Sequence, residues 1–287
     1  MISEQFNKAF DLWFDFRKQV IYKNRYFIKH EVLDYLEKFA DKNKRTVEEN
    51  TLLFRARRYT DSTVFIPYID DNHNDADNEV KDRYFSAMQK AIVKDKEESG
   101  FWGYDDNNSL VPPNADMVKD GRTNPAYIKY LYTATDPYTA LVEVRPYLES
   151  KVSIAELEVV DSLNIVDFSF DSDSLREHEG FDRHLIIAMM LEFSEPSDGD
   201  SKSYIPTQYI AEFIKTLGFE GIKFNSSLNR SGKNVTIFNY DNKLRAKCSK
   251  LYEINDICYE AKPIAPKNEV YLRHPRLMSP MLKLPRK

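Results

Sequence analysis

Apolar residues near the start of the chain recur at helical spacing. Phe6, Phe10 and Trp13 fall on one apolar stripe, and a second stripe runs from Val32 to Phe39. Apolar residues that return every three or four positions are typical of an amphipathic helix. The pattern therefore predicts two helices between residues 3 and 40. We expect them to form a hairpin packed against the rest of the protein, with a partner-binding surface as the alternative.

Downstream of these helices the pattern mixes strands with further helices. The segment FRARRY, residues 54–59, predicts a strand with Arg55 and Arg57 on the same face. Two arginines so placed can grip a diphosphate, although a solvent-facing basic stripe is the plainer interpretation. The polar stretches 41–45 and 69–80 are expected to be a solvated link and an exposed insertion. Further strands are predicted at 152–160, 163–168, 220–225 and 234–239, and further helices at 84–93, 181–193 and 205–217.

The stretch from Gly121 to Glu149 carries the densest candidate chemistry. It opens with Gly-Arg and Asn-Pro, continues as a short aromatic strand at 128–134, and starts a helix at Asp136-Pro137. Asp is a favoured helix cap, and Pro suits the first helical position because its φ angle is already set. The helix is therefore expected to carry Glu143 and Arg145.

Arg122, Tyr132 and Glu143 thus fall on a loop, a strand and a helix in succession. We expect side chains so placed to converge on one pocket. A cationic fork, an aromatic face and a carboxylate suit a phosphorylated, aromatic, ribose-containing ligand. They also suit a reaction that builds positive charge, as N-glycosidic cleavage does through an oxocarbenium-like ribose. Ser226 could be a nucleophile, but no histidine motif lies near it, so a serine hydrolase is a weak alternative.

Composition and charge narrow the classes of function. The 287 residues include 41 basic and 46 acidic side chains, and the formal net charge is −5. Direct binding to nucleic acid is not expected, because it needs clustered positive charge. Cys248 and Cys258 have no metal-ligand spacing and are expected to be reduced thiols. The most apolar run, Leu185 to Leu191, is too short to cross a bilayer, so we expect a soluble, cytoplasmic protein without a metal.

The stretch from Gly121 to Glu149 also resembles the RES family, named for its Arg, Glu and Ser. The hallmark of that family is a GR-x-NP segment, a Leu-Tyr strand and a TAL-x-E-x-R helix, which correspond here to GRTNP, LY and TALVEVR. Its second half is similar to residues 207–238, with a Gln-bearing helix, a Gly-hydrophobic-Ser strand turn and a closing Asn-hydrophobic-Phe strand. FRARRY looks like the first arginine strand of the family. The resemblance covers roughly residues 50 to 260.

The resemblance implies both a fold and an activity. RES proteins have a fold similar to the ADP-ribosyltransferase toxins, so we expect an α+β fold with a core of mixed and antiparallel β-sheets flanked by helices, plus an N-terminal helical segment. Members use NAD⁺, and several are toxins of toxin–antitoxin pairs that release nicotinamide by phosphorolysis or hydrolysis. The domains expected are a helical segment at 1–48, a catalytic domain at 49–262 and an extended tail at 263–287.

The same resemblance assigns candidate site residues position by position. The serine of the family falls on Ser226, with the adjacent Ser227 as the alternative, and Tyr130 points the same way as Tyr132, so either could stack on the leaving ring. Arg55 matches the upstream arginine, and the role of Arg57 stays open. The expected catalytic residues are Glu143, Arg122 and Ser226. The expected NAD⁺-binding residues are Arg55, Arg57, Tyr130, Tyr132 and Ser227.

The function expected is therefore cleavage of the nicotinamide N-glycosidic bond of NAD⁺, by a toxin of a toxin–antitoxin or defence system. The alternatives are an ADP-ribosyltransferase acting on a protein or metabolite, and a catalytically silent nucleotide-binding or interaction module. The partners expected are NAD⁺ as substrate, inorganic phosphate, a helix-turn-helix antitoxin protein and a second copy of the chain in a homo-oligomer. A membrane is not among them.

Overall fold

The computed structural model describes residues 4–60, 78–110, 114–170, 175, 177–196 and 201–258. Within these ranges the helices are α1 (Glu4–Tyr22), α2 (Glu31–Lys42), α3 (Asn78–Ser99), α4 (Asp106–Leu110), α5 (Pro137–Glu143), α6 (Gly180–Ser194) and α7 (Ile205–Thr216). The strands are β1 (Lys44–Val47), β2 (Leu52–Tyr59), β3 (Leu131–Ala134), β4 (Lys151–Val159), β5 (Leu163–Phe168), β6 (Gly221–Asn225), β7 (Lys233–Ile237) and β8 (Leu244–Glu253). Short 3₁₀ turns lie at Ala115–Met117 and Ser201–Tyr204.

The strands form one 8-stranded sheet in the order β1-β5-β6-β7-β3-β2-β4-β8. The β5–β6 pair is parallel, and the other neighbouring pairs are antiparallel. The strands β2, β3 and β7 stand side by side near the middle of the sheet, although they are far apart in sequence. This arrangement brings the FRARRY strand beside the Leu-Tyr strand, with Phe54 opposite Ala134.

One face of the sheet encloses an apolar core. Leu163 and Ile165 of β5 belong to the same buried cluster as Leu157 and Val159 of β4, although several strands separate β5 from β4 within the sheet. The sheet therefore curls around this core. Curling is the expected result of the right-handed twist of the strands.

The opposite face is covered by helices, and aromatic rings fill the contact. Phe168 of β5 packs between Phe39 of α2 and Phe193 of α6, with ring centroids 4.7 and 5.0 Å away. The helix α1 packs against α6 and α7, where Phe16 meets Tyr209 edge to face at 5.6 Å. The two predicted N-terminal helices packed against the rest of the protein are confirmed, as is the α+β class with a mixed sheet flanked by helices.

Several element boundaries differ from the sequence prediction. Residues 41–45 were expected to be a solvated link, but Lys44 starts β1, which pairs with β5. The aromatic strand begins at Leu131 instead of residue 128. The helix α5 ends at Glu143, so Arg145 lies beyond the helix that was expected to carry it. The predicted insertion at 69–80 and the predicted tail at 263–287 fall outside the described residues, except that α3 includes residues 78–80.

The described residues up to Asn255 form one compact unit. The domain boundaries expected at residues 48 and 262 stay predictions. In the portion of the chain that the structure describes, no helix combines the length and the apolar character needed to span a bilayer.

Candidate active site

A cavity of about 290 Å³ opens on the helical face of the sheet, between α5 and the strands β2, β3 and β7. Its wall includes Arg122, Tyr132, Glu143 and Ser227. The loop, the strand and the helix expected to converge therefore meet at one place. A cavity with both charged and aromatic walls matches the features of a small-molecule site.

Glu143 lies at the cavity because it is the last residue of α5, a helix whose start is fixed by Asp136. The Asp136 side chain caps the helix by accepting a hydrogen bond from the Thr139 backbone N–H at 2.8 Å, and Pro137 occupies the first turn, as predicted. The carboxylate Oε1 of Glu143 accepts hydrogen bonds from Ser226 Oγ at 2.6 Å and from Asn234 Nδ2 at 2.7 Å. Two donors on one oxygen fix the orientation of the carboxylate.

The hydroxyl of Ser226 is fully used by the protein. It donates to Glu143, and it accepts from the backbone N–H groups of Leu228 at 3.1 Å and Asn229 at 3.0 Å. A hydroxyl has a single hydrogen to donate and lone pairs for two acceptor bonds, so no capacity is left for a nucleophilic role. Ser226 therefore orients Glu143, while its neighbour Ser227 lies on the cavity wall.

The turn that holds Ser226 lies close against α5. Asn229 Nδ2 donates to Thr139 Oγ1 at 2.8 Å. Gly232 lies even closer, because a Cβ atom at this position would meet Thr139 Oγ1 at 2.2 Å. Only glycine lets the β6–β7 turn approach the helix this closely. This contact keeps Ser226 in register with Glu143.

Arg122 lies half-buried at the side of the cavity and caps the end of α6. Its guanidinium donates to the carbonyl of Glu192 at 2.8 Å and to the carbonyl of Glu195, and it lies 5.6 Å from the ring centroid of Tyr204. A cation at a helix C-terminus is favourable because the carbonyls there are unpaired. A guanidinium carries more N–H donors than these two bonds use, so donors remain for a ligand.

Burial lowers the pKa of Arg122, and the nearby Tyr204 and Glu143 oppose that shift. The Arg122 cation and the Glu143 carboxylate are therefore close enough to attract each other. An anionic ligand group beside Arg122 would offset the desolvation of the guanidinium.

The loop that carries Arg122 is pinned to β3 through the Tyr132 hydroxyl. This hydroxyl accepts from the backbone N–H of Thr123 at 2.9 Å and from its Oγ1 at 2.7 Å, and it donates to Asn124 Oδ1 at 2.7 Å. Burial raises the pKa of Tyr132 to about 12. A Cβ atom on Gly121 would lie 2.6 Å from the Tyr132 hydroxyl. The Tyr132 hydroxyl thus explains two residues of the GR-x-NP segment: the Asn accepts its hydrogen bond, and the Gly leaves room for it.

The helix α7 holds the same loop from its other side. Gln208 Nε2 donates to the carbonyls of Gly121 at 2.9 Å and Asn124 at 3.0 Å, and Thr207 Oγ1 donates to the carbonyl of Arg122 at 2.6 Å. The glutamine in the Gln-bearing helix therefore supports the arginine loop from outside the cavity.

The structure does not bring Arg55 and Arg57 to the cavity. They do share one face of β2, as the alternation predicts, but Phe54 and Ala56 of the other face line the cavity. Arg55 donates to the Ser109 carbonyl at 3.0 Å, and Arg57 donates to the Asn108 carbonyl at 2.5 Å. Burial, and next the neighbouring Arg57, lower the pKa of Arg55 to about 10. The expected ligand role of this pair is therefore not supported at this site.

Tyr130 also lies away from the cavity. It precedes β3, is only 4% exposed, and packs its ring 4.8 Å from that of Phe238. Its hydroxyl donates to the carboxylate of Glu212 and accepts from Lys215 Nζ at 3.3 Å. Burial, and next the bond to Glu212, raise its pKa. Of the two tyrosines considered for stacking, Tyr132 is the one on the cavity wall.

Four further polar residues line the cavity and were not assigned from the sequence: Thr133, Asn234, Arg145 and Tyr204. Asn234 opens the Asn-hydrophobic-Phe strand and Arg145 closes the TAL-x-E-x-R segment, so both carried a motif signal. Tyr204 had no such signal, because it precedes α7 in a polar stretch whose path the local pattern does not predict.

Comparisons with known proteins identify the family of this chain. The chain matches the model of the RES domain over residues 99–256, slightly more than half of its length. No curated protein matches it. It is similar to a solved chain in the crystal structure of the M. tuberculosis MbcT–MbcA toxin–antitoxin complex, at 13% identity and a TM-score of 0.39, over 77% of this chain and 93% of that chain. The chain belongs to the RES domain family.

Proposed function

We propose that this protein cleaves the N-glycosidic bond between nicotinamide and ribose in NAD⁺. The observation that carries the proposal is that Glu143 and Arg122 line one cavity, with the carboxylate oriented by Ser226 and Asn234. Membership of the RES family supports the same substrate. A fixed carboxylate favours a reaction in which positive charge develops on a ribose.

Each cavity residue has a role in this reaction. Both donors to Glu143 bind Oε1, so Oε2, which accepts no bond from the described residues, faces the ribose and stabilises its developing charge. The ring of Tyr132 offers a wall against which an aromatic base stacks. The remaining donors of Arg122 bind the diphosphate.

In the reaction, the bond between C1″ of the ribose and the nicotinamide nitrogen breaks. The bonding electron pair leaves with nicotinamide, which departs as a neutral molecule. A phosphate oxygen then bonds to C1″ and gives ADP-ribose 1″-phosphate, or a water oxygen bonds to C1″, loses a proton to the surrounding water and gives ADP-ribose. Glu143 forms no covalent bond in this reaction.

Mass spectrometry of NAD⁺ reactions with and without inorganic phosphate tests the proposal. We expect nicotinamide together with one of the two ADP-ribose products. Labelled adducts on a macromolecule would instead support ADP-ribosyl transfer. Intact NAD⁺ in both reactions would contradict the proposal and favour a silent nucleotide-binding module.

The wider role that we propose is that of a toxin whose consumption of NAD⁺ stops growth, held in check by an antitoxin protein. The RES family membership supports this role. Induced expression should lower cellular NAD⁺ and arrest growth, whereas the Glu143→Gln variant at the same level should do neither. Normal growth and NAD⁺ with the wild-type protein would contradict it.

A further inference from the structure

The backbone just beyond α5 lines the cavity and adopts an unusual conformation. Val144 is the C-cap residue of the helix, and Arg145 follows with a φ angle of 46°. This left-handed conformation after a helix is usually taken by glycine, since a Cβ atom makes it unfavourable. Pro146 follows and restricts the backbone of Arg145 further. Strained backbone conformations are common at functional sites, so the conformation of this cavity residue suggests that its side chain has a function.

Arg58 holds this backbone in place. Its Nε atom donates to the Val144 carbonyl at 3.2 Å, and its Nη2 atom donates to the Arg145 carbonyl at 3.0 Å. Every second residue of a strand points to the same face. Arg58 therefore lies on the same face of β2 as Phe54 and Ala56, which line the cavity. A cationic fork on the last carbonyls of a helix is a favourable cap. Arg58 is therefore the arginine of FRARRY that acts at this side of the sheet.

The guanidinium of Arg145 is available to a ligand. Arg145 is exposed and is one of the residues that line the cavity, together with Glu143 and Arg122. Within the described residues its guanidinium has no hydrogen-bond or ion-pair partner, whereas Arg122 already donates to two carbonyls of α6. Two arginines and a single carboxylate give the wall an excess of positive charge, which suits an anionic ligand.

We propose that Arg145 binds the diphosphate of the dinucleotide, and that Arg58 is a positioning residue that acts through Arg145. This inference rests on the proposed function for the identity of the ligand. Planar guanidinium forks match pairs of phosphate oxygens. The bonds from Arg58 keep Arg145 in the conformation that presents its fork to the cavity.

The test uses ADP-ribose as a binding probe, because it keeps the diphosphate and lacks the bond that is cleaved. We expect Arg145→Gly to weaken ADP-ribose binding, measured by calorimetry, by about tenfold to a hundredfold. Glycine suits the left-handed backbone, so the same variant should keep or raise the Tm. With NAD⁺ the KM should rise far more than kcat falls. Arg45→Ala, which removes the same charge from edge strand β1, should change none of these values.

Arg58→Ala should also weaken ADP-ribose binding and raise the KM. In the Arg145→Gly background the same substitution should have no further effect, because residues that act through one contact are not additive. Additive losses would overturn the positioning role of Arg58. Unchanged affinity in Arg145→Gly, or no ADP-ribose binding by the wild-type protein, would overturn the role of Arg145. Tight, Arg145-dependent binding without NAD⁺ cleavage would instead refute the proposed function and leave this inference standing.

Discussion

The hydroxyl of Ser226 donates to Oε1 of Glu143 at 2.6 Å and accepts two backbone N–H groups of its own turn. The serine and the glutamate are far apart in sequence, yet they form one unit. The role of Ser226 is therefore explained by the orientation that it gives to Glu143. Because these three hydrogen bonds occupy its hydroxyl, Ser226 is a positioning residue and not a nucleophile.

The first prediction concerns Ser226→Ala. Removing one hydrogen bond to a charged group costs about 1.5–3 kcal/mol, so kcat should fall by about tenfold to a hundredfold. Loss of a nucleophile would be far larger, by about a millionfold. Steady-state kinetics of nicotinamide release checks this, and a pre-steady-state burst that requires Ser226 would contradict the positioning role. Ser231→Ala, on the exposed part of the same turn, is the matched control.

The second prediction separates the two faces of β2. Arg55→Met should leave the KM for NAD⁺ unchanged, because Arg55 points away from the cavity. It should lower the free energy of unfolding by about 1–3 kcal/mol, because the Ser109 carbonyl loses its donor. Arg122→Met should raise the KM. Kinetics and denaturant unfolding measure both effects, and a raised KM in Arg55→Met would contradict the placement of this arginine.

The third prediction concerns Tyr132→Phe. The ring stays, but Thr123 and Asn124 lose their partner, so the free energy of unfolding should fall by about 1–3 kcal/mol. Burial raises the pKa of Tyr132 to about 12, so the folded protein keeps this phenol neutral while the unfolded chain ionises it near pH 10. Wild-type stability should therefore fall between about pH 10 and 12 by more than that of Tyr132→Phe.

The pH dependence of activity provides the control for that variant. Tyr132 stays protonated at neutral pH and makes three hydrogen bonds inside the protein, so it should not act as an acid or a base. The pH–rate profile of Tyr132→Phe below pH 9 should keep the shape of the wild-type profile. Loss of one limb of the profile would contradict this.

The fourth prediction concerns the N-terminal helices. Arg17 Nη2 on α1 pairs with Glu192 Oε1 on α6 at 3.1 Å, with side chains 20% and 12% exposed. Arg17→Met should lower the free energy of unfolding by about 1–3 kcal/mol, because it leaves a carboxylate with little water around it. Lys8→Met breaks an exposed pair with Glu4 and should cost less than about 1 kcal/mol.

The Arg17→Met effect should depend on pH. Burial raises the pKa of Glu192, and loss of Arg17 should raise it further. A carboxyl whose folded pKa is raised stabilises the fold while protonated, and that contribution is lost as pH rises through the folded pKa. The destabilisation should therefore be larger at pH 8 than at pH 5, as measured by thermal unfolding. An equal effect at both pH values would contradict the pairing.

Local sequence signals predict much of the site but not its assembly. The Asp136-Pro137 start of α5 and the convergence of Arg122 with Glu143 follow from capping and element order. Alternation places Arg55 and Arg57 on one face of β2, but a period of two cannot tell which face meets α5. That choice depends on the packing of α5 against the sheet, which involves residues distant in sequence.

The remaining differences have similar causes. The strand β1 was missed because its Lys-Arg-Thr sequence is exposed at the edge of the sheet and shows little apolar alternation. The conformation of Arg145 could not be read from the motif, because the left-handed region usually calls for glycine. This conformation is explained by Arg58, which lies on a distant strand and donates to the carbonyls of Val144 and Arg145.

The most direct test of the account is nicotinamide release from NAD⁺ by Glu143→Gln beside the wild-type protein. The amide oxygen of Gln can still accept from Ser226 and Asn234, so the fold and ADP-ribose binding should be kept while the charge is lost. We expect kcat to fall by about a hundredfold to a thousandfold or more. An unchanged kcat in a folded Glu143→Gln variant would contradict the claim that this carboxylate stabilises the ribosyl cation.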